Sequence, residues 1–215
     1  MESRTTVTIA RRMGSGGAYV GRRIAEQLGL RYVDREVLHL AAETLGVEAS
    51  ALESSRERVS TFWESFFGGL TFGAPEGPYA PPPVRVPSDK ALFKCQTGIL
   101  REIAAREDCC IVGYGAAYVL PRHARMVNFF FHAPLHFRVR RVMEIYGIAE
   151  QENARRMVED SDRLRAHYFR EMTGKDWACA DNYHLSVDTS MSPLPELAEG
   201  LVRFIERRLG ASQKG

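Results

Sequence analysis

The stretch Thr5-Thr6-Val7-Thr8-Ile9-Ala10-Arg11-Arg12-Met13-Gly14-Ser15-Gly16-Gly17-Ala18-Tyr19-Val20-Gly21-Arg22-Arg23-Ile24-Ala25-Glu26-Gln27-Leu28 decides the fold. Its first part, Thr5–Ala10, is rich in β-branched residues and reads as a strand. Its last part sets Val20, Ile24, Ala25 and Leu28 on one helical stripe, so Tyr19–Leu28 reads as an amphipathic helix. Between them, Gly14, Ser15, Gly16 and Gly17 are small enough for backbone N–H groups to converge on an anion. The helix that follows aims its positive end at the same point. Strand, glycine turn and helix in this order predict a phosphate-cradling loop. Its candidate phosphate-binding residues are Arg11, Met13, Gly14, Ser15, Gly16, Gly17 and Ala18.

The usual loop of this type, GxxxxGK[ST], carries a lysine that reaches the transferred phosphate and a hydroxyl that holds magnesium. Here Gly16-Gly17-Ala18 stands in that register and lacks both. A second register, running from Gly16 to Gly21, puts Arg22 in the lysine's place, but it delays the helix past Val20, which already belongs to the apolar stripe. Arg11 and Arg12 are the better cation donors, because a guanidinium grips phosphate bidentately. The plainer alternative is that both are solvated surface charges.

Beyond the loop, short apolar strands alternate with longer helical stretches. Strands are expected at Tyr32-Val33, Cys109–Gly113, Met126–His132 and His184–Asp188. Helices are expected at Arg35–Leu45, Lys90–Arg106, Leu135–Tyr146, Gln151 to about Met172, and Leu194–Leu209. Alternation of this kind predicts an α/β fold, a parallel sheet with helices on both faces. Helix Lys90–Arg106 carries Leu92, Phe93, Gln96, Ile99, Leu100 and Ile103 at three-and-four spacing, a buried stripe with one polar member. Residues 50–89 break the order. Val59, Phe62, Trp63, Phe66, Phe67 and Leu70 have helical spacing, but Gly68-Gly69 stops them. The stretch Gly73–Pro87 then holds six of the chain's ten prolines, which marks a loop-rich insertion.

Length and composition fit one domain of 215 residues, with 45% hydrophobic and 26% charged residues. A net charge of +2 is too small to point to nucleic acid or an anionic membrane as partner. With no apolar leader and no stretch of membrane-spanning length, a cytoplasmic location is expected. The four cysteines and six histidines show no metal-ligand spacing, so no protein-held metal is expected. Cys109 and Cys110 should face opposite sides of one strand. No signature of a covalent nucleophile is present.

Several segments resemble the cytidylate kinase-like family, relatives of bacterial cytidylate kinase within the nucleoside-monophosphate kinase group. They are Val7–Gly17, Leu28–Leu38, Gln96, Ile111-Val112-Gly113-Tyr114-Gly115-Ala116, Ala133-Pro134-Leu135, the arginine-rich stretch to Tyr168, Thr173–Trp177, and Asn182-Tyr183 through Val187–Ser190. The resemblance covers nearly the whole chain outside Ser50–Asp89. It implies a P-loop nucleoside-triphosphate hydrolase-like three-layer fold, with a five-stranded parallel sheet and a helical lid at about 150–178. It also implies ATP as phosphoryl donor, with magnesium brought by the nucleotide, and a pyrimidine nucleoside monophosphate or similar small acceptor. Asp34 matches the aspartate at the acceptor site. Cytidylate kinases have an arginine six residues further on, where this chain has Leu40. Many members carry arginine where this chain has Tyr114, a second candidate acceptor contact. The missing loop lysine is shared with the family.

Kinase chemistry places cations around a spreading anionic transition state and excludes water from it. The segment Arg155-Arg156-Met157-Val158-Glu159-Asp160-Ser161-Asp162-Arg163-Leu164-Arg165-Ala166-His167-Tyr168 has the composition of such a lid. Arg163 and Arg165, with Arg12 from the loop, are the candidate catalytic arginines. The alternative is a solvated helix with internal ion pairs. Arg141 is a further candidate phosphate contact, and Asp188 is either a ligand contact or a turn cap. Two functional classes remain open on the sequence: a nucleoside-phosphate kinase, and a nucleotide- or phospholigand-binding regulatory module of the same fold. A homo-oligomer formed through residues 60–87 is compatible with either.

Overall fold

The computed structural model describes residues 4–34 and 89–211. The expected helix Arg35–Leu45, the aromatic segment and the proline-rich stretch lie outside them. The described elements are β1 (Thr6–Arg11), α1 (Gly17–Leu28), β2 (Arg31–Val33), α2 (Asp89–Arg106), β3 (Cys109–Val112), α3 (Ala116–Val119), β4 (Met126–His132), α4 (Leu135–Tyr146), α5 (Gln151–Thr173), β5 (Leu185–Asp188) and α6 (Leu194–Ala211). The five strands form one sheet in the order β2-β3-β1-β4-β5, and every pairing is parallel.

Continuous burial explains why the central strands read as unbroken apolar runs, as strands covered on both faces must. All of β3 and all but the last residue of β4 are buried. One face packs α1 and α6 through Val20, Ile24, Ala198 and Ile205 onto Val7, Ile9, Phe129 and Phe131. The opposite face packs Leu100 and Ile103 of α2 against Cys109, Ile111 and Met126. Cys110 and Cys109 therefore point to opposite layers. Burial pushes the Cys109 thiol up to about 11 and Cys110 higher still, which fits space-filling rather than reactive thiols.

Two boundaries differ from the sequence expectation, each for a local reason. Helix α1 begins at Gly17 rather than Tyr19, because Gly16 adopts φ 81° and its carbonyl already accepts the Val20 N–H at 3.0 Å. Strand β3 stops at Val112, where Gly113, Tyr114 and Gly115 all take positive φ (95°, 53° and 67°) and turn the chain into the short helix α3.

In the sheet interior, Thr8 Oγ1 lies 2.8 Å from Asn128 Oδ1, a contact between directly paired residues of β1 and β4. Asn128 in turn donates its backbone N–H to His184 Nδ1 at 2.8 Å, just before β5. That bond requires an unprotonated nitrogen. Burial holds the His184 imidazole below its ordinary 6.5, with the positive charges of Arg208 and Arg122 adding to the effect. His123 is lowered in the same direction by burial and Arg125. A histidine whose folded pKa is depressed makes its full contribution above the unfolded value, and that contribution is lost as the pH falls through the lower folded value. Urea denaturation should therefore show a falling midpoint between about pH 7.5 and about pH 5.5. His184→Gln, which keeps an acceptor but cannot titrate, should flatten that slope; an unchanged slope would remove His184 as its source.

Candidate functional site

At the carboxyl end of β1 the chain turns through Arg12–Gly16 into α1. The Arg12 N–H donates to Phe131 O at 2.9 Å, fixing the turn to β4. Ser15, fully buried, donates its N–H and its hydroxyl to Arg12 O at 3.2 and 2.8 Å. Its side chain thus shapes the loop from within. Gly14 cannot be replaced without strain: its φ is 79°, and a Cβ there would sit 2.5 Å from the backbone oxygen of Arg138. Met13 packs its side chain beside Val139, Val142 and Val158, between α4 and α5.

Beneath the loop lies a buried ionic frame. Asp162 Oδ2 accepts Arg138 Nη1 at 2.7 Å, and its Oδ1 accepts the Met13 N–H at 3.0 Å. Arg138 also donates to Met13 O at 3.1 Å and to Ala133 O at 3.0 Å. Arg165 Nη1 donates to Arg11 O at 3.0 Å and lies 3.5 Å from Asp162 Oδ1. Arg138 is 4% exposed and Arg165 8%, so both cations are largely shielded from bulk solvent. Burial draws the Arg165 guanidinium down to about 10, helped by the nearby charge of Arg11 and opposed by Asp162. It still carries its proton at neutral pH.

On the solvent side of this frame a pocket is lined by the loop, Gly14 and Gly16–Ala18, and by Arg11, Arg12, Arg141 and Arg165. Four guanidiniums meet a single lining carboxylate there among the described residues, Asp34, which pairs with Arg11 at 3.5 Å and accepts the Tyr32 hydroxyl at 3.1 Å. The buried Nε atoms of Arg12 and Arg141 have no hydrogen-bond partner among the described residues. Four guanidiniums facing one carboxylate describe a site shaped for an anion. A second, mostly apolar pocket adjoins it. Arg11 and Arg165 line both, and the second is completed by Gln96, Tyr114, Tyr168, Phe169 and Trp177.

The structure thus brings Arg11, Arg12, Met13, Gly14, Gly16, Gly17, Ala18, Asp34 and Arg165 to the first pocket and Tyr114 to the second; Asp34, expected beside the acceptor, lines the loop pocket instead, and Ser15 is buried within the loop and lines neither. The structure does not bring Arg163. Two residues along a helix turn by about 200°, so with Arg165 facing the loop, Arg163 faces solvent; it pairs with Asp160 at 2.8 Å and is 76% exposed. Arg156 is likewise exposed and bonded to Glu152. The Arg22 register is not adopted: this guanidinium lies over the Tyr32 ring, 4.6 Å from its centroid. Asp188 caps its own turn, accepting the Ser190 N–H and hydroxyl at 2.9 and 2.7 Å. Those bonds hold its carboxyl below the ordinary range.

Sequence reasoning missed Arg138 and Asp162. The signal for Asp162 was present, since it lies within the α5 stripe formed by Ala154, Val158, Ser161, Arg165 and Phe169. Arg138 gave no such signal, because a buried arginine on an otherwise charged helix looks exposed until its partner is known. Among the described residues no cluster of three or more His, Cys, Asp or Glu could hold a metal ion, and no described helix is long and apolar enough to cross a membrane.

Removing one partner of a buried ion pair leaves the other charge stranded, at a cost of about 3–5 kcal/mol. Asp162→Ala should therefore lower unfolding stability by about that amount, whereas Asp160→Ala, on the exposed side, should leave the urea midpoint unchanged. Equal effects from the two would refute the buried frame.

Comparison with known proteins agrees with this geometry. The sequence profile of the cytidylate kinase-like family matches residues 6–191, and the chain belongs to that family. Comparison with curated proteins gives no match. Among solved structures, the chain resembles an uncharacterized protein from Eubacterium ventriosum at TM-score 0.68 and 18% identity, covering 94% of this chain and 99% of that one. It also resembles shikimate kinase from Acinetobacter baumannii at TM-score 0.51 and 16% identity, over 96% and 95% of the two chains. A gluconokinase from Sinorhizobium meliloti matches at TM-score 0.51 and 13% identity, over 96% and 94%. At these identities the likeness is one of fold, the P-loop kinase fold.

Proposed function

We propose that this member of the cytidylate kinase-like family is an ATP-dependent phosphotransferase that acts on a small phosphorylated acceptor, a pyrimidine nucleoside monophosphate or a close analogue. The observation that carries the proposal is the charge of the loop pocket: four arginines against one carboxylate among the described residues. A polyphosphate is the kind of anion that such an excess of positive charge attracts. The chain reads as a single kinase-like domain, with residues 50–89 inserted and α5 serving as the lid.

In this reading the donor's phosphates lie against the N–H groups of the loop and the start of α1. The acceptor occupies the adjoining pocket. Arg11 and Arg165 line both pockets and so flank the path of the transferred group. An acceptor phosphate oxygen forms a bond to the γ-phosphorus while the bond to the β,γ-bridging oxygen breaks, and ADP departs with that electron pair. No covalent enzyme intermediate is needed, because positioning and electrostatic stabilisation supply the rate. Magnesium, arriving with ATP, would shield phosphate charge. Asp34, the one lining carboxylate among the described residues, would be the protein's contact to that ion, although it is paired with Arg11, and the usual hydroxyl position is filled by Ala18. Arginine in place of lysine keeps the cations permanently charged and bidentate.

A second reading, a nucleotide-binding module without turnover, draws on one feature: the Met13 N–H, a loop donor, is already taken by Asp162. The two readings separate in one experiment. The kinase reading expects ADP release that depends on a nucleoside monophosphate, and a fall of about 100-fold or more in rate for Arg12→Ala or Arg141→Ala, the scale seen when one transition-state donor is lost. ATP binding with no ADP formed from any monophosphate would overturn the kinase reading in favour of the binding module.

A further inference from the structure

Arg165 stands at the junction of the two pockets, and the buried carboxylate of Asp162 is not all that holds it there. Its guanidinium lies over the ring of Trp177, 5.4 Å from the centroid. Along a continued helix these two residues would be about 18 Å apart. They meet because α5 ends at Thr173 and the chain reverses at Gly174, which takes φ 68°.

Trp177 is itself fixed to the body of the domain and is buried. Its carbonyl oxygen accepts the Tyr183 hydroxyl at 2.7 Å and lies 3.1 Å from the hydroxyl of Tyr118 on α3. Its ring meets Phe130 of β4 edge-on, with centroids 5.4 Å apart. The tryptophan thus ties a side chain of α5 to α3 and β4. It lines the second pocket and not the loop pocket, so any effect it has on an anion in the loop must pass through Arg165.

The kind of contact matters to that anion. Arg165 donates to Arg11 O and to Ser161 Oγ at 3.0 and 3.3 Å, two neutral acceptors. Asp162 lies 3.5 Å away and holds Arg138 more closely, at 2.7 Å. A second carboxylate in the place of the ring would cancel the charge of Arg165 and repel an incoming anion. An aliphatic side chain would fill the space without attracting the cation. The indole face attracts it through the ring quadrupole yet carries no net charge, so the positive charge of Arg165 is preserved for the pockets it lines.

We infer that Trp177 is a positioning residue, whose ring holds the Arg165 guanidinium at the junction of the two pockets, where it meets the anion bound by the loop. The inference rests on the reading that the loop pocket binds polyphosphate, and it adds to that site a residue that does not touch the ligand. It does not require that phosphoryl transfer occur.

Calorimetric binding of inorganic tripolyphosphate tests it, with wild-type protein, Trp177→Leu, Trp177→Phe, Arg165→Met and the double variant Arg165→Met/Trp177→Leu. Trp177→Leu should weaken binding about fivefold to tenfold, the scale of a desolvated cation–π contact. Trp177→Phe keeps a ring face and should weaken it less. With Arg165→Met there is no cation left to hold, so adding Trp177→Leu should change the affinity less than about twofold. An equal loss from Trp177→Leu in both backgrounds would reveal a general packing effect and overturn the inference. Wild-type affinity in Trp177→Leu, or a loss in Trp177→Phe as large as in Trp177→Leu, would overturn it as well while leaving the loop pocket's role intact. Should Arg165→Met fail to fold, the comparison of Trp177→Leu with Trp177→Phe decides alone. Wild-type protein that binds no tripolyphosphate would contradict the polyphosphate site and the inference with it.

Discussion

Asp162 is a single carboxylate among cations, and the geometry of the site follows from it. It bonds Arg138, lies beside Arg165 and accepts the Met13 N–H, so three elements, α4, α5 and the loop, meet on two oxygens. Each arginine alone would pay a heavy desolvation cost in so buried a position. Sharing one carboxylate, and donating to the carbonyls of Ala133, Met13 and Arg11, they become struts that fix where the loop backbone runs. Gly14 closes the arrangement, because only a residue without Cβ lets the loop pass this close to the Arg138 carbonyl.

From that frame follows the division of labour among arginines. Arg138 donates from Nε and Nη1 inside the protein, whereas Arg12 and Arg141 line the loop pocket. Arg11 and Arg165 stand between the two pockets. A lysine-based loop delivers its charge from within the loop itself. Here the charge comes from β1, the loop, α4 and α5 together, so the cation cluster depends on tertiary packing. The net charge of +2 gives no hint of this concentration, since a local field depends on placement and not on totals.

Much of this was legible in the sequence wherever the signal was local. Strand β1, the glycine turn and the α1 stripe could be read in order, and β4 was placed to the residue at Met126–His132 because an unbroken apolar run has sharp ends. The charged run on α5 obscured the difference between Arg163 and Arg165. Both sit in a charged run, and only the phase set by Val158, Ser161 and Phe169 turns one inward and the other out. The Arg138–Asp162 pair spans two helices and was invisible for that reason. The α3 turn was missed because Tyr114 takes a positive φ that side chains other than glycine's rarely adopt. Gln96 did register as the polar member of an apolar stripe, but that its Nε2 has no partner among the described residues is a property of the packed core.

We propose that arginines from four elements stand in for the lysine of a phosphate loop. Calorimetric titration with inorganic tripolyphosphate, which has no base to contribute, tests it most directly. Saturable binding at one site, competition by ATP, and an affinity that weakens as salt screens the cluster are expected. No binding at low salt, or binding that Arg12→Ala and Arg141→Ala leave intact, would contradict it.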